Sequence, residues 1–270
     1  AARSQTDIRR LARRTDGITV VRRFWLTNAV LVRVDTDHVP PRALAHVDGV
    51  QSVQRNAEIQ VLDSPSMAAD AGGTTAASAS SGATAAPASA TTASGPATTY
   101  GVDQIDAPEV WSAYDTRGGN TSVAVLDTGV DPDHPDIDLA RWAEFDSEGS
   151  RLNTTPQDYG PSGHGTHASG TVVGGNASGQ YIGVAPNATL YHGAVLTDCS
   201  SGGCTGTLSQ IIAGMQWAVD QNADVLSMSL GANGYYNDFI DPVENAQAAG
   251  TTVVAAVGNK GAGNSSSPAN

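Results

Sequence analysis

Lysine is nearly absent from this 270-residue chain, Lys260 being its single example; cysteine occurs twice and aromatic residues make up 5%. Uninterrupted apolar runs stop at about five residues, far below the roughly 20 that a helix needs to cross a bilayer. An integral helical membrane protein is therefore not expected, and no basic stretch followed by an apolar one opens the chain as a signal peptide would. Cys199 and Cys204 are too few for a disulfide scaffold and lack the four ligands of structural zinc. One local bridge is the most they can make. What is present, 27.5 kDa of chain, suffices for one large α/β domain and a small second one.

The formal charge of −13 is unevenly spread: residues 1–97 sum to +2 and residues 98–270 to −15. So acidic a surface repels phosphates, which sets nucleic acid and anionic membranes aside as partners. It also repels itself, less so where concentrated salt shortens the Debye length from about 10 Å at 0.1 M to about 3 Å at 1 M. A salt-loving source and an ordinary acidic secreted enzyme both fit.

Between Ser64 and Ala97, 32 of 34 residues are Ala, Ser, Thr, Gly or Pro, a composition with nothing large to bury. Residues 64–97 read as a disordered linker between two bodies, 1–63 and 98–270. The first body alternates a helical stretch over Thr6–Arg14, two β-rich runs over Ile18–Asp35, a helix opened by Pro40-Pro41, and a strand-like run over Val50–Leu62. That order is a ferredoxin-like α+β unit lacking its first strand, or else a small α/β module of different topology. In the second body the apolar runs Ser122–Leu126, Thr189–Tyr191 with Ala194–Leu196, Val225-Leu226 and Thr252–Ala256 alternate with helices near His164–Gly174, Thr207–Gln221 and Pro242–Ala249. This is α/β with a mostly parallel sheet flanked by helices, in which ligands gather beyond the carboxyl ends of strands.

Three features stand at such ends. Asp127 directly follows Ser122–Leu126, where a carboxylate is costly unless something donates to it; taken singly it is as readily a turn cap. His164 opens a helix of small residues, where a carboxylate could orient its imidazole as a general base needs; by itself it would be a turn histidine. His167, three residues on, reads as packed within the fold, and the His-x-x-His spacing does not suit a zinc protease helix. Asn259 ends Ala255–Asn259, where a side-chain amide could serve an oxyanion or simply close a Gly-Asn turn.

Taken together and in order, Val123–Asp136 (VAVLDTGVDPDHPD), Gly163–Thr171 (GHGTHASGT), Ser227–Gly231 (SMSLG) and Ala256–Asn259 (AVGN) resemble the subtilisin-like (subtilase) serine proteases, from about Tyr100 to the last residue. The resemblance implies a Ser-His-Asp triad with Asp127 and His164 as two members and Asn259 as the oxyanion donor. It implies that Ser229, Leu230 and Gly231, with Gly206, line the substrate backbone, and that residues 1–63 are a propeptide acting as intramolecular inhibitor, residues near Leu62 lying in the cleft. Polypeptides would be the substrates, of a monomer secreted from the cell, and Cys199–Cys204 would form a disulfide on the substrate-cleft rim. No cofactor is required. Calcium is the one ion implied, at Asp136, but Ala177 stands where an amide ligand is expected; nor do Asp131, Asp133 and Asp136 make an EF-hand, which wants Gly at the sixth position and Glu at the twelfth, here Trp142.

The nucleophile motif of the family, Gly-Thr-Ser-x-Ala, is missing. The expectation is a fragment open at both ends, comprising an incomplete catalytic domain with the nucleophile encoded beyond Asn270. The alternative is a non-catalytic peptide-binding or protease-inhibitory module.

Overall fold

The computed structural model describes residues 5–61, 97–200 and 202–269; the linker expected over 64–97 lies, but for its last residue, outside them. The N-terminal part runs α1 (Thr6–Ala12), β1 (Ile18–Phe24), β2 (Ala29–Val34) and β3 (Glu58–Val61). β1 and β2 pair antiparallel as a two-stranded sheet over a small core of Ile8, Ile18, Val39 and Leu44.

Two expectations for this part are corrected. The segment opened by Pro40-Pro41 is a 3₁₀ turn over Pro41–His46 rather than an α-helix, since a six-residue stretch with proline at its start is too short to build an α-helical ladder. The last strand does not join the hairpin in a ferredoxin-like sheet. β3 crosses to the second body and lies antiparallel between two of its strands.

That body continues with α2 (Tyr100–Gln104), α3 (Ala107–Tyr114), β4 (Ser122–Asp127), β5 (Leu139–Phe145), β6 (Arg151–Leu152), α4 (His164–Val173), β7 (Thr189–Ala194), β8 (Thr205–Thr207), α5 (Leu208–Asp220), β9 (Val225–Met228), β10 (Leu230–Asn233), α6 (Ile240–Ala248), β11 (Thr252–Ala255) and β12 (Ser266–Ser267). The main sheet has the order β11-β9-β4-β7-β5-β6, parallel except for the β5–β6 pair. β4 is its spine: Val123 to Asp127 are all buried, which is why this strand reads as a continuous apolar run instead of an alternating one. α5 covers one face with Leu208, Ile211, Ile212, Met215 and Trp217 buried. Its start is fixed by a capping box in which Thr207 Oγ1 accepts from Gln210 N and Gln210 Oε1 from Thr207 N. α4 lies on the other face, its Val173 packed with Val123, Val125 and Leu190 of the sheet.

The run at Thr189–Tyr191 continues through His192-Gly193 into Ala194 as one strand, β7, and Val195 and Leu196 of the second run lie beyond its end. A Cβ at Gly193 would stand 2.6 Å from Leu126 Cδ2, so the glycine answers to core packing and not to a break in the strand. The N-terminal part sits on α5 and α6: Gln216 Oε1 accepts from Trp25 N (2.9 Å), Asn245 Nδ2 donates to Leu26 O (2.7 Å), and Phe24 and Leu26 are buried in the main core. Arg33 pairs with Glu148, and Arg22 Nη2 donates to Ser150 Oγ at 2.7 Å. The basic part thus meets the acidic part through named pairs. Cys199 and Cys204 are joined as a disulfide.

Candidate active site

The carboxyl end of β4 and the first turn of α4 meet because glycine occupies both sides of the contact. A Cβ on Gly165 would lie 2.0 Å from Gly129 O, an impossible approach for any other residue. Gly129 itself has φ +122°, where L side chains are strained. The result puts His164 Nδ1 2.7 Å from Asp127 Oδ1.

Asp127 is fully buried. Its Oδ1 also accepts Thr128 N–H at 2.7 Å, while Oδ2 has no hydrogen-bond partner among the described residues. A buried carboxylate beside an imidazole accepts only, so His164 Nδ1 carries the proton and Nε2 is the nitrogen able to take another. The His164 side chain is 27% exposed, enough for a reacting group to reach it. The hydrogen bond that His164 donates to Asp127 raises the His164 pKa above its usual value, partial burial opposes this, and the charges of Asp127 and Asp158 add to the rise. Chemically, an imidazole held in one tautomer by a carboxylate is able to act as a general base.

Asn259 lies beyond the carboxyl end of β11, which runs parallel to β9 and through it to β4, and so stands at the same sheet edge as Asp127. It is exposed. Leu230 and Gly231 open β10, where β3 occupies the edge: Val61 pairs with Leu230 and Gln60 with Gly231. On its other side β3 meets β8, with Ile59 opposite Gly206. A Cβ on Gly206 would fall 1.9 Å from Val195 O, so this position in β8 has to be glycine. Ile59 is fully buried, and Val61 N donates to Cys204 O at 3.0 Å. Leu62 is outside the described residues.

Asp136 fits a calcium ion poorly. Calcium takes six to eight oxygens; Asp136 Oδ1 already accepts Ser178 N–H at 3.2 Å, and Ala177 supplies no side-chain oxygen. Among the described residues no three His, Cys, Asp or Glu side chains gather in a group able to hold a metal.

His167, read as packed within the fold, is instead exposed, since the face of α4 turned to the sheet is Gly165, Ser169, Gly170 and Val173. The histidine that is buried was not singled out. His192 on β7 is fully buried, shares a 2.9 Å hydrogen bond between Nδ1 and Ser169 Oγ, and stacks on Trp142 at 6.0 Å. Burial pushes its pKa down to about 4, against the opposing charges of Asp127 and Asp158. Asp158 and Thr128 were missed as well. Thr128 adjoins the Asp127 motif, but Asp158 lies in a loop with no pattern to mark it.

A family model described as the subtilase family matches residues 118–270. Subtilisin E of Bacillus subtilis (strain 168) is 40% identical over 168 residues, covering 62% of this chain and 42% of the relative. Subtilisin of Bacillus pumilus is also 40% identical over 168 residues, 62% of this chain and 58% of its own length. The major intracellular serine protease of Bacillus subtilis (strain 168) is 38% identical over 165 residues, covering 60% and 50%. The chain therefore spans roughly half the length of these relatives.

Proposed function

The chain belongs to the subtilase family, and from that premise we propose that it is part of a secreted, monomeric serine endopeptidase that carries its own inhibitor. The observation that bears this reading is the 2.7 Å contact between a fully buried Asp127 and a partly exposed His164 at the carboxyl end of the central strand. His164 Nε2 takes the proton of a serine hydroxyl as that oxygen attacks the peptide carbonyl, then returns it to the leaving amine. Asp127 holds the ring and balances the imidazolium charge. Asn259 donates its amide to the oxyanion. The Gly-Thr-Ser motif that would supply the serine does not occur in these 270 residues.

Residues 1–63 are the inhibitor in this reading. Support comes from β3, which lies on the Leu230–Gly231 edge with the ladder a substrate backbone would form, and from the Arg33–Glu148 pair that helps seat the basic part on the acidic one. The Cys199–Cys204 bridge favours an oxidising compartment, although one relative is named as intracellular.

The test is the longer gene product. Extended through a Gly-Thr-Ser motif and freed of residues 1–63, it should hydrolyse peptides, and His164→Ala should abolish this. In subtilisin, removing the nucleophile alone costs about 2 × 10⁶ in turnover, a measured value for that relative; the 270-residue chain should accordingly show no hydrolysis. Activity in this chain, lost on substituting an internal serine, would overturn the assignment. A stop codon directly after Asn270 would favour a peptide-binding module instead.

A further inference from the structure

Asp158 lies in the loop between β6 and α4, outside every motif that carries the family resemblance, yet its carboxylate accepts four hydrogen bonds. Oδ1 accepts from Thr128 Oγ1 at 2.7 Å and from Gly160 N at 2.9 Å; Oδ2 accepts from Thr166 N at 2.8 Å and Thr166 Oγ1 at 2.6 Å. Thr128 follows Asp127 directly, and Thr166 is two residues past His164. One carboxylate therefore grips both backbones that hold the pair.

The two threonines extend the grip. Thr128 Oγ1, while donating to Asp158, accepts Gly165 N–H at 2.9 Å, which ties the residue after Asp127 to the residue after His164. Thr166 Oγ1, while donating to Asp158, accepts Asp131 N–H at 2.9 Å. Each hydroxyl spends its proton on the carboxylate and its lone pair on a backbone amide, so removing the carboxylate frees both rotors. With the β4 end and the α4 start so joined, the Nδ1–Oδ1 contact between His164 and Asp127 is braced by a carboxylate and two hydroxyls that lie outside the pair.

We propose that Asp158 is the positioning residue of the Asp127–His164 pair, clamping the turn after β4 to the first turn of α4 through Thr128 and Thr166. Its catalytic consequence rests on the protease reading; the clamp itself does not. The charge of Asp158 also reaches His164, whose protonated form it favours after Asp127. A plain helix cap would be satisfied by the Thr166 amide alone and would leave the imidazole indifferent to Thr128.

The test is a proton magnetic resonance titration of His164 in the full 270-residue chain, comparing the unaltered protein with Asp158→Asn, Thr128→Ser and Thr128→Val. Thr128→Ser keeps the hydroxyl bridge and should keep both the low-field Nδ1 proton and the raised midpoint. Asp158→Asn should lower the midpoint and lose the low-field proton to solvent exchange. Thr128→Val keeps the Asp158 charge and its contact with Thr166 but breaks the bridge to Gly165, and should also lose that proton. An unchanged midpoint and proton in Asp158→Asn overturn the proposal. Should that variant fail to fold, Thr128→Val decides, since an unchanged proton there overturns it equally. In the extended protein Asp158→Asn should lower kcat and leave KM unchanged. An inactive extended protein that shows the expected His164 shifts would sink the protease reading and leave the clamp standing.

Discussion

Acid should unfold this protein earlier than its carboxylates alone require, because of His192. The ring is fully buried, with Nδ1 held by Ser169 and Nε2 unpartnered among the described residues, so protonation adds a buried charge whose desolvation outweighs the attraction of Asp127 and Asp158. Its pKa falls from 6.5 to about 4 on folding. The unfolded chain therefore binds a proton that the folded chain refuses, and stability is complete above about pH 6.5 and lost as pH falls toward 4. A gap of that size corresponds to about 3 kcal/mol, of which about 2 is lost by pH 4.5. Against a total of about 5–15 kcal/mol this is a large share. Other shifted groups act elsewhere or with opposite sign. His164, raised by its hydrogen bond to Asp127, contributes stability present below pH 6.5 and lost as pH climbs through its folded value. Asp224, lowered by the Ser122 amide and hydroxyl, acts below the ordinary carboxylate range, and Asp238, raised by burial, works against His192 only just above it. Urea unfolding at pH 7 and pH 4.5 is the assay, with His192→Leu/Ser169→Ala as the comparison because it removes both polar partners together. The unaltered chain should lose about 1 M of midpoint on acidification, at an m-value near about 2 kcal/mol/M, and the double variant much less. An equal loss in the two would refute the reasoning.

Ile59→Ala should cost about 2–5 kcal/mol, since Ile59 is fully buried between β10 and β8; faster amide exchange on both sides of β3 is the readout, and unchanged exchange would count against a docked strand. The thermal midpoint should rise between about 0.1 M and about 3 M NaCl, because salt screens the −15 of residues 98–270. Equal midpoints would remove the halophile reading. Cys199 and Cys204 should resist alkylation until reduced, which intact mass before and after a reductant reports directly; two thiols open without reduction would refute it.

β4 was legible because burial on both faces leaves nothing polar to interrupt Val123–Leu126. α5 was legible from its uninterrupted apolar face and its Thr207 start. β5 was not, since Leu139–Phe145 carries Arg141 and Glu144 near the rim of the sheet and so shows neither a clean run nor a clean alternation. Asp127 and His164 stood out through short contiguous phrases. What holds them did not: Asp158 is 31 residues from Asp127 along the chain and acts through two threonine hydroxyls whose partners only the fold selects.

β3 is the instructive case, because its position was legible and its partner was not. Four residues cannot make a stable strand against a hairpin unless their backbone groups and one apolar side chain all find places there. Between β10 and β8 they do. Both edges of β3 are paired, Val61 N reaches Cys204 O, Ala57 O accepts Leu208 N at 2.7 Å, and burial of Ile59 contributes about 1.5–3 kcal/mol. The gain is mutual. Without β3 the start of β10 would present unpaired donors and acceptors at Leu230 and Gly231, an edge open to any extended chain. Closing that edge with its own residues leaves the Leu230 and Gly231 backbone paired within the chain, and any other extended segment has to displace Gln60 and Val61 before it can pair there.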